Sequence, residues 1–251
     1  MRFPALVAGV VMFPWLVFAE ADSRPVVSFS VSVWPALMAS DGRGLFSDLI
    51  SQALPQYQIE YQVVPWRRAT QMLVAGDVDG QIGTYRAALI NQVDPGNVKI
   101  SNRVPIYLER VEVWCHSGRA LANWRVELRG LSYAWPRGYD YDVHFAIPKA
   151  MEVHDTEQGI RMLLARRIDC YIDDSGDIAH RLPMDAVQAH RLNTAPIGSH
   201  PLFVTFMDHE QGREIAQALD AGLTRLRATG EARRLFTKWG VLKNYPESSA
   251  D

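Results

Sequence analysis

The sequence predicts an α/β fold, because short β-rich runs alternate along it with segments of helical hydrophobic spacing. Glycine- and proline-bearing turns separate those runs, which marks them as distinct elements. At 251 residues, with 48% hydrophobic and 22% charged side chains, the chain can bury a sizeable core without disulfide staples. The same proportions exclude a disordered chain, a collagen-like repeat and a coiled-coil rod.

The elements follow in order. Val26–Val33 alternates at period two and reads as a strand. Leu45, Leu49, Ile50 and Leu54 fall at helical spacing across 44–54. Tyr57–Val64 is a second strand, followed by a helix from Pro65 to about Ala75, with the proline at a favoured first-turn position. The turn Gly76-Asp77-Val78-Asp79-Gly80 leads into a strand at Gln81–Thr84, and Asp94-Pro95-Gly96-Asn97 forms another turn. Leu108–His116 alternates as a long strand, and Leu131–Trp135 is a further one ending at Pro136-Arg137-Gly138. Ile160, Leu163 and Leu164 share one face of a helix over 157–166, and Ile168–Ile172 returns as a strand. The last strand is expected at Pro201–Met207. Ile215, Leu219, Leu223 and Leu226 then mark an amphipathic helix closing at Gly230, and a final helix over 231–239 ends at Gly240. The tail 243–251 is polar.

The amino-terminal segment has the make-up of an address. Arg2 precedes the apolar run Phe3–Phe18, and Ala19-Glu20-Ala21 supplies a small-residue exit, so residues 1–21 are expected to be a secretory signal peptide. The run is shorter than the roughly 20 apolar residues a membrane span needs and is broken by Pro4 and Pro14. The mature chain is therefore expected to be a soluble monomer in the periplasm. In that oxidising space Cys115 and Cys170 could pair; their distance is left open by the sequence. With 26 basic against 28 acidic residues and no basic tract, a nucleic-acid partner has no electrostatic footing.

Catalytic and metal templates fail. His209-Glu210 begins a zinc motif, but Arg213 stands where the second histidine belongs. Ser47 replaces the third glycine of a dinucleotide fingerprint at Gly42-Arg43-Gly44. No phosphate loop or nucleophile elbow occurs. Asp173 and Asp174 are adjacent on a strand, so they face opposite sides and are not expected to share a proton. No catalytic residue, metal or cofactor is expected.

Five phrases, in order, carry a resemblance. Trp34-Pro35-Ala36-Leu37 is followed by Asp41-Gly42-Arg43-Gly44-Leu45-Phe46-Ser47-Asp48-Leu49; Pro65-Trp66-Arg67-Arg68-Ala69 is followed by Gly76-Asp77-Val78-Asp79-Gly80. Then come Gly130-Leu131 through Gly138-Tyr139-Asp140-Tyr141, the run Arg167–Asp174, and Leu226–Glu231 closing at Lys238-Trp239-Gly240. Together they resemble the bacterial extracellular solute-binding family 3, which includes periplasmic glutamine-, histidine- and arginine-binding proteins. The resemblance implies a type II periplasmic-binding-protein fold: two α/β lobes, two crossing hinge strands, and ligand clamped in the cleft between. Lobe one would take 22–108 and 195–251, lobe two 109–194, with crossings near Leu108–Val111 and Leu192–Ala195.

The resemblance also implies site residues. Trp34 stands where family members place an aromatic wall, and an ordinary core tryptophan is the competing role; Trp66, at a helix start, shares the ambiguity. Tyr139 and Tyr141 follow a glycine turn at an expected helix start, beside backbone N–H groups that suit an anion, or are simply surface tyrosines. Asp174 matches the carboxylate that holds an amino group in the family, or caps a helix starting near Ser175. The family's carboxylate-binding arginine aligns with Ile90, while Thr84-Tyr85-Arg86 is a shifted near-match, which makes Tyr85 and Arg86 candidates. The function implied is capture of a small polar or amine-containing solute for an ATP-driven membrane importer. A sensory module engaging a membrane receptor is the alternative, and an enzyme like the cyclohexadienyl dehydratases of this fold comes last.

Overall fold

The computed structural model describes residues 24–87, 90–91, 96–116, 123–124 and 128–247. The expected signal peptide, the first half of the 94–97 turn and residues 248–251 lie outside the described residues.

Two parallel pairings open the fold. β1 (Val26–Val31) runs beside β2 (Gln58–Val63) over six residue pairs and beside β3 (Gly80–Thr84) on its other edge. Parallel neighbours need crossovers. These are α1 (Leu45–Ala53), which buries Leu45, Phe46, Leu49 and Ile50, and α2 (Trp66–Ala75), which turns off at left-handed Gly76. Pro65 stands just before α2 rather than within it.

The central pairing is antiparallel and long. β5 (Tyr107–His116) lies against β9 (Leu192–Met207) from Tyr107 opposite Leu202 to His116 opposite Leu192. Beyond Leu202, β9 leaves β5 and pairs with β3 on one side and β4 (Lys99–Ser101) on the other. β5 in turn pairs with β8 (Cys170–Asp174), which carries β6 (Tyr133–Pro136) and then β7 (Met151–Val153). Among the described residues the sheet thus has nine strands in the order β2-β1-β3-β9-β5-β8-β6-β7, with β4 on β9.

β9 begins nine residues before the strand the sequence predicts. Pro196 and Gly198 read as breakers, yet β5 offers a continuous edge there. The register shifts between Val111 and Glu112, so the proline meets an irregularity that a strand tolerates.

The remaining helices cover the faces: α3 (Tyr141–Phe145), α4 (Thr156–Leu164), α5 (Ser175–Arg181), α6 (Met184–Ala189), α7 (Glu210–Ala228) and α8 (Glu231–Lys238). Phe29, Phe46, Leu49, Phe206, Leu219 and Phe236 centre one core, on β1, β3 and the end of β9. Helices α1 and α7 touch there: a Cβ on Gly222 would lie 2.0 Å from the Ala53 carbonyl oxygen. Val111, Val113, Trp135, Tyr141, Ile172 and Ile197 centre a second core, and Leu163, Tyr171, Ile178 and Leu192 a third. Leu192, Ala195 and Ile197 therefore pack with the second half of the sheet, and Leu202 with the first. The change from one core to the other along β9 falls between Ile197 and Leu202. Cys115 and Cys170, directly opposite on β5 and β8, form a disulfide.

Candidate ligand-binding cleft

Because β5 and β9 pass from one half of the sheet to the other, loops from both halves meet over them. They enclose a cavity of about 190 Å3. The first half contributes Trp34 after β1, Trp66 and Thr70 on α2, Gln81, Gly83 and Thr84 on β3, Tyr85 beyond it, Lys99 on β4, and Leu202 and Thr205 on β9. The second contributes Gly138, Tyr139 and Asp140 after β6, with Tyr141 and His144 on α3. Glu109 enters from β5 at the crossing itself.

The aromatic wall is packed solid. Trp34 is only 6% exposed; its ring stacks on Trp66 at 5.9 Å and 15°, leans on Phe46, and meets Tyr139 edge-on. Its indole N–H donates to the Tyr139 hydroxyl. A Cβ on Gly83 would come within 2.6 Å of the Trp34 ring, and Gly83 has φ +84°, so glycine meets two demands there. At these centroid distances no ligand ring fits between the two indoles. Trp34 belongs to the first core and also lines the cavity.

Two acids line the cavity, Asp140 and Glu109, and Glu109 is the more deeply buried, at 4% exposed. Tyr85 donates to its Oε2 at 2.6 Å and Tyr141 to its Oε1 at 3.0 Å, one hydroxyl from each half of the sheet. Burial, reinforced by the nearby Asp174 charge, pushes the Glu109 carboxyl up to about 8 against the opposing pull of the two phenol bonds. Burial also pushes both phenols up. The Tyr85 ring touches His144 edge-on at 4.1 Å and His200 at 5.1 Å. Burial, helped by His200, pulls His144 down to about 4, and burial lowers His200 as well. His200 is the residue directly opposite Glu109 across the β5–β9 pair. Polar side chains on the first-half wall are tied together: Gln81 donates to Thr70, and the hydroxyls of Thr84 and Thr205 are 2.5 Å apart. Lys99 Nζ donates to the Asn97 carbonyl at 3.0 Å.

Of the residues expected from sequence, Trp34, Trp66, Tyr85, Tyr139 and Tyr141 come together in this cavity; Arg86 and Asp174 do not. Arg86 is exposed, with its guanidinium carbon 4.7 Å from the Phe203 ring centroid, and Ile90 stands in the wall instead. Beyond β3 the chain buries Tyr85 and leaves its neighbour Arg86 exposed. Asp174 caps α5: Oδ1 accepts from the Gly176 and Asp177 N–H groups and the Tyr107 hydroxyl, and Oδ2 from the Arg110 N–H. Asp173, on the opposite face, accepts from Thr156 and Tyr171 through Oδ2 and from the Asp174 backbone N–H through Oδ1, so the two carboxyls have different side-chain partners. Sequence reasoning missed Glu109, Lys99 and His144. Glu109 had a signal, a carboxylate at the parity of the strand that Tyr107, Val111 and Val113 occupy, and all four are buried. Lys99, on a three-residue strand, had none.

No protein-family model matches the sequence, and no curated protein matches it significantly. Solved structures do match in backbone. The GluR0 ligand-binding core from Nostoc punctiforme in complex with L-glutamate superposes with TM-score 0.68 at 14% identity, over 86% of this chain and 99% of that one. The chain has the type II periplasmic-binding-protein fold. A histidine kinase sensor domain with similarity to periplasmic binding proteins gives TM-score 0.67 at 17% identity, covering 87% and 97%. The substrate binding protein of an amino acid ABC transporter gives 0.66 at 15%, covering 85% and 98%. On this binding-protein fold, β5 and β9 are the crossing strands and the 190 Å3 cavity occupies the cleft between the halves. Identities this low speak for the backbone alone, and the lining is this chain's own.

Proposed function

We propose that the protein is a periplasmic solute-binding protein, exported by residues 1–21, that closes over a small polar or amine-containing compound and presents it to an ABC importer. The observation that carries this is a cavity walled by both halves of the sheet around two crossing strands, since contact with both walls turns binding energy into closure. Lobe one comprises the chain up to Leu108 and again from about residue 200; lobe two lies between, with its second boundary moved by the packing of β9. A cavity of about 190 Å3 is smaller than the 300 Å3 or more usual for drug-sized ligands, so the solute is compact. Trp34, Trp66, Tyr85, Tyr139 and Tyr141 contact it, no chemistry is performed on it, and the protein acts as a monomer. A sensor that signals to a membrane receptor remains the second function, favoured by the kinase sensor domain among the structural neighbours.

Native mass spectrometry of the purified protein, followed by a thermal-shift panel of metabolites, tests the first claim. A solute at a hundred times its dissociation constant raises stability by about 2.7 kcal/mol and shifts the melting point visibly. Flat melting curves across the panel, with no co-purifying mass, refute it. Loss of uptake on deletion favours import; unchanged uptake with altered signalling favours the sensor.

A further inference from the structure

We propose that the solute is an organic amine and that Glu109, not Asp174, is the carboxyl that receives its ammonium; this rests on the cleft being the solute site. Asp174 is already committed. It takes three backbone N–H groups and a phenol, and it does not line the 190 Å3 cavity. Glu109 does line it and is contacted by two neutral phenols. A carboxylate offers about four lone-pair sites, so two remain for a donor in the cavity.

The electrostatics around Glu109 favour a cation. Asp173, Asp174 and Asp177 are all buried nearby, and Asp173 and Asp174 both add to the negative field at Glu109. Among the described residues no ammonium or guanidinium lies within hydrogen-bond range of its oxygens. A buried carboxyl in such a field stays protonated until a cation replaces the proton. The titratable groups that line the cavity with it are Tyr85, Tyr139, Asp140, Tyr141, His144 and Lys99; His200 lies across the strand pair, and Asp173, Asp174 and Asp177 add their charges from nearby. Both histidines are held uncharged by burial, so they offer it no cation at neutral pH. The expected anchor for a solute carboxylate is also gone: Ile90 lines the cavity and Arg86 sits outside it.

Binding an amine at neutral pH then exchanges a proton for an ammonium. Tyramine, n-butylamine and their uncharged alcohol counterparts, together with a panel of sugars and carboxylates, are titrated calorimetrically into the whole mature protein. The titrations use buffers of different ionisation enthalpy and run from pH 6 to 8. The amines bind and the alcohols do not, close to one proton is released near pH 7, and amine affinity rises up to about tenfold per pH unit below pH 8. Glu109→Gln binds the amines about ten- to a hundredfold more weakly and releases no proton, which separates its share from that of Asp140 on the wall and of Asp173 or Asp177 behind it. Equal affinity for amine and alcohol, or for wild type and variant, overturns the proposal; if Glu109→Gln does not fold, Glu109→Asp takes its place, and amine affinity equal to that of the wild type overturns the proposal. A sugar or carboxylate that closes both proteins alike overturns the amine and leaves the solute site standing. Small-angle scattering unchanged by every compound removes both.

Discussion

At the residue scale, Trp34 and Glu109 show how one side chain serves packing and recognition together. Trp34 is wedged among Phe46, Trp66, Tyr139 and Gly83 and belongs to the first core. Trp34→Ala should therefore lower the stability of the ligand-free protein by about 3–5 kcal/mol, read as a denaturant midpoint, besides weakening binding. An unchanged midpoint would show that the surrounding rings hold their places without it. Trp34 was legible as an aromatic of the cleft because its phrase carried the family resemblance. Its burial was not, because that depends on Tyr139, 105 residues away in sequence. Glu109 was hidden for a related reason: an alternating strand shows a carboxylate on its apolar face but says nothing of which hydroxyls will meet it.

At the scale of elements, β5 is the member to which most of the site is fastened. It carries Tyr107 and Glu109 on one face and pairs with β9 and β8 on its two edges. The disulfide between Cys115 and Cys170 locks β5 to β8 and closes a loop of 55 residues. Cross-linking a loop of that length removes about 4 kcal/mol of chain entropy from the unfolded state. Replacing both cysteines by serine should thus cost about 2–4 kcal/mol in a chemical melt while leaving the cavity's lining in place; a cost near zero would mean the β5–β8 ladder alone fixes that edge. The strands β1, β2, β3 and β5 and the helices α1, α2, α4, α7 and α8 were legible within a few residues, because each shows its period in a single run. β4 and β7 have three residues each, and the first half of β9 contains Pro196 and Gly198, so no local pattern marks them. Their strand character comes from the neighbours that supply hydrogen bonds.

At the scale of the molecule, closure and titration are linked. The halves meet through the Trp34–Tyr139 bond, the Tyr85–His144 ring contact and an ion pair between Arg67 and Glu152 at 3.1 Å on the rim. Glu109 holds a hydroxyl from each side. Its carboxyl is raised from 4.5 to about 8, so the folded state holds a proton that the unfolded chain releases, and stability falls as pH climbs through that window. His144 acts with the opposite sign: lowered from 6.5 to about 4, it favours the fold above pH 6.5 and loses that share as pH drops. The two slopes offset each other between about pH 4.5 and 6.5. Above pH 6.5 the raised acids act alone, and stability should fall by about 1.4 kcal/mol per pH unit for each group still protonated. Melting temperatures from pH 6.5 to 8 check this: a decline in the wild type, shallower in Glu109→Gln, is expected, and a rise in both would contradict the burial of these acids.

The amino-acid order by itself determined the α/β alternation, the period and place of the long elements, and the family phrases that foretold two lobes around crossing strands. Those properties are local, set by side-chain spacing and turn residues within a dozen positions. Tertiary structure alone decided which acid faces the cavity, that Asp174 caps a helix, that Arg86 lies outside, and that Cys115 meets Cys170. Each of those outcomes turns on distances between segments far apart in the chain, and burial, charge and hydrogen bonding act through such distances.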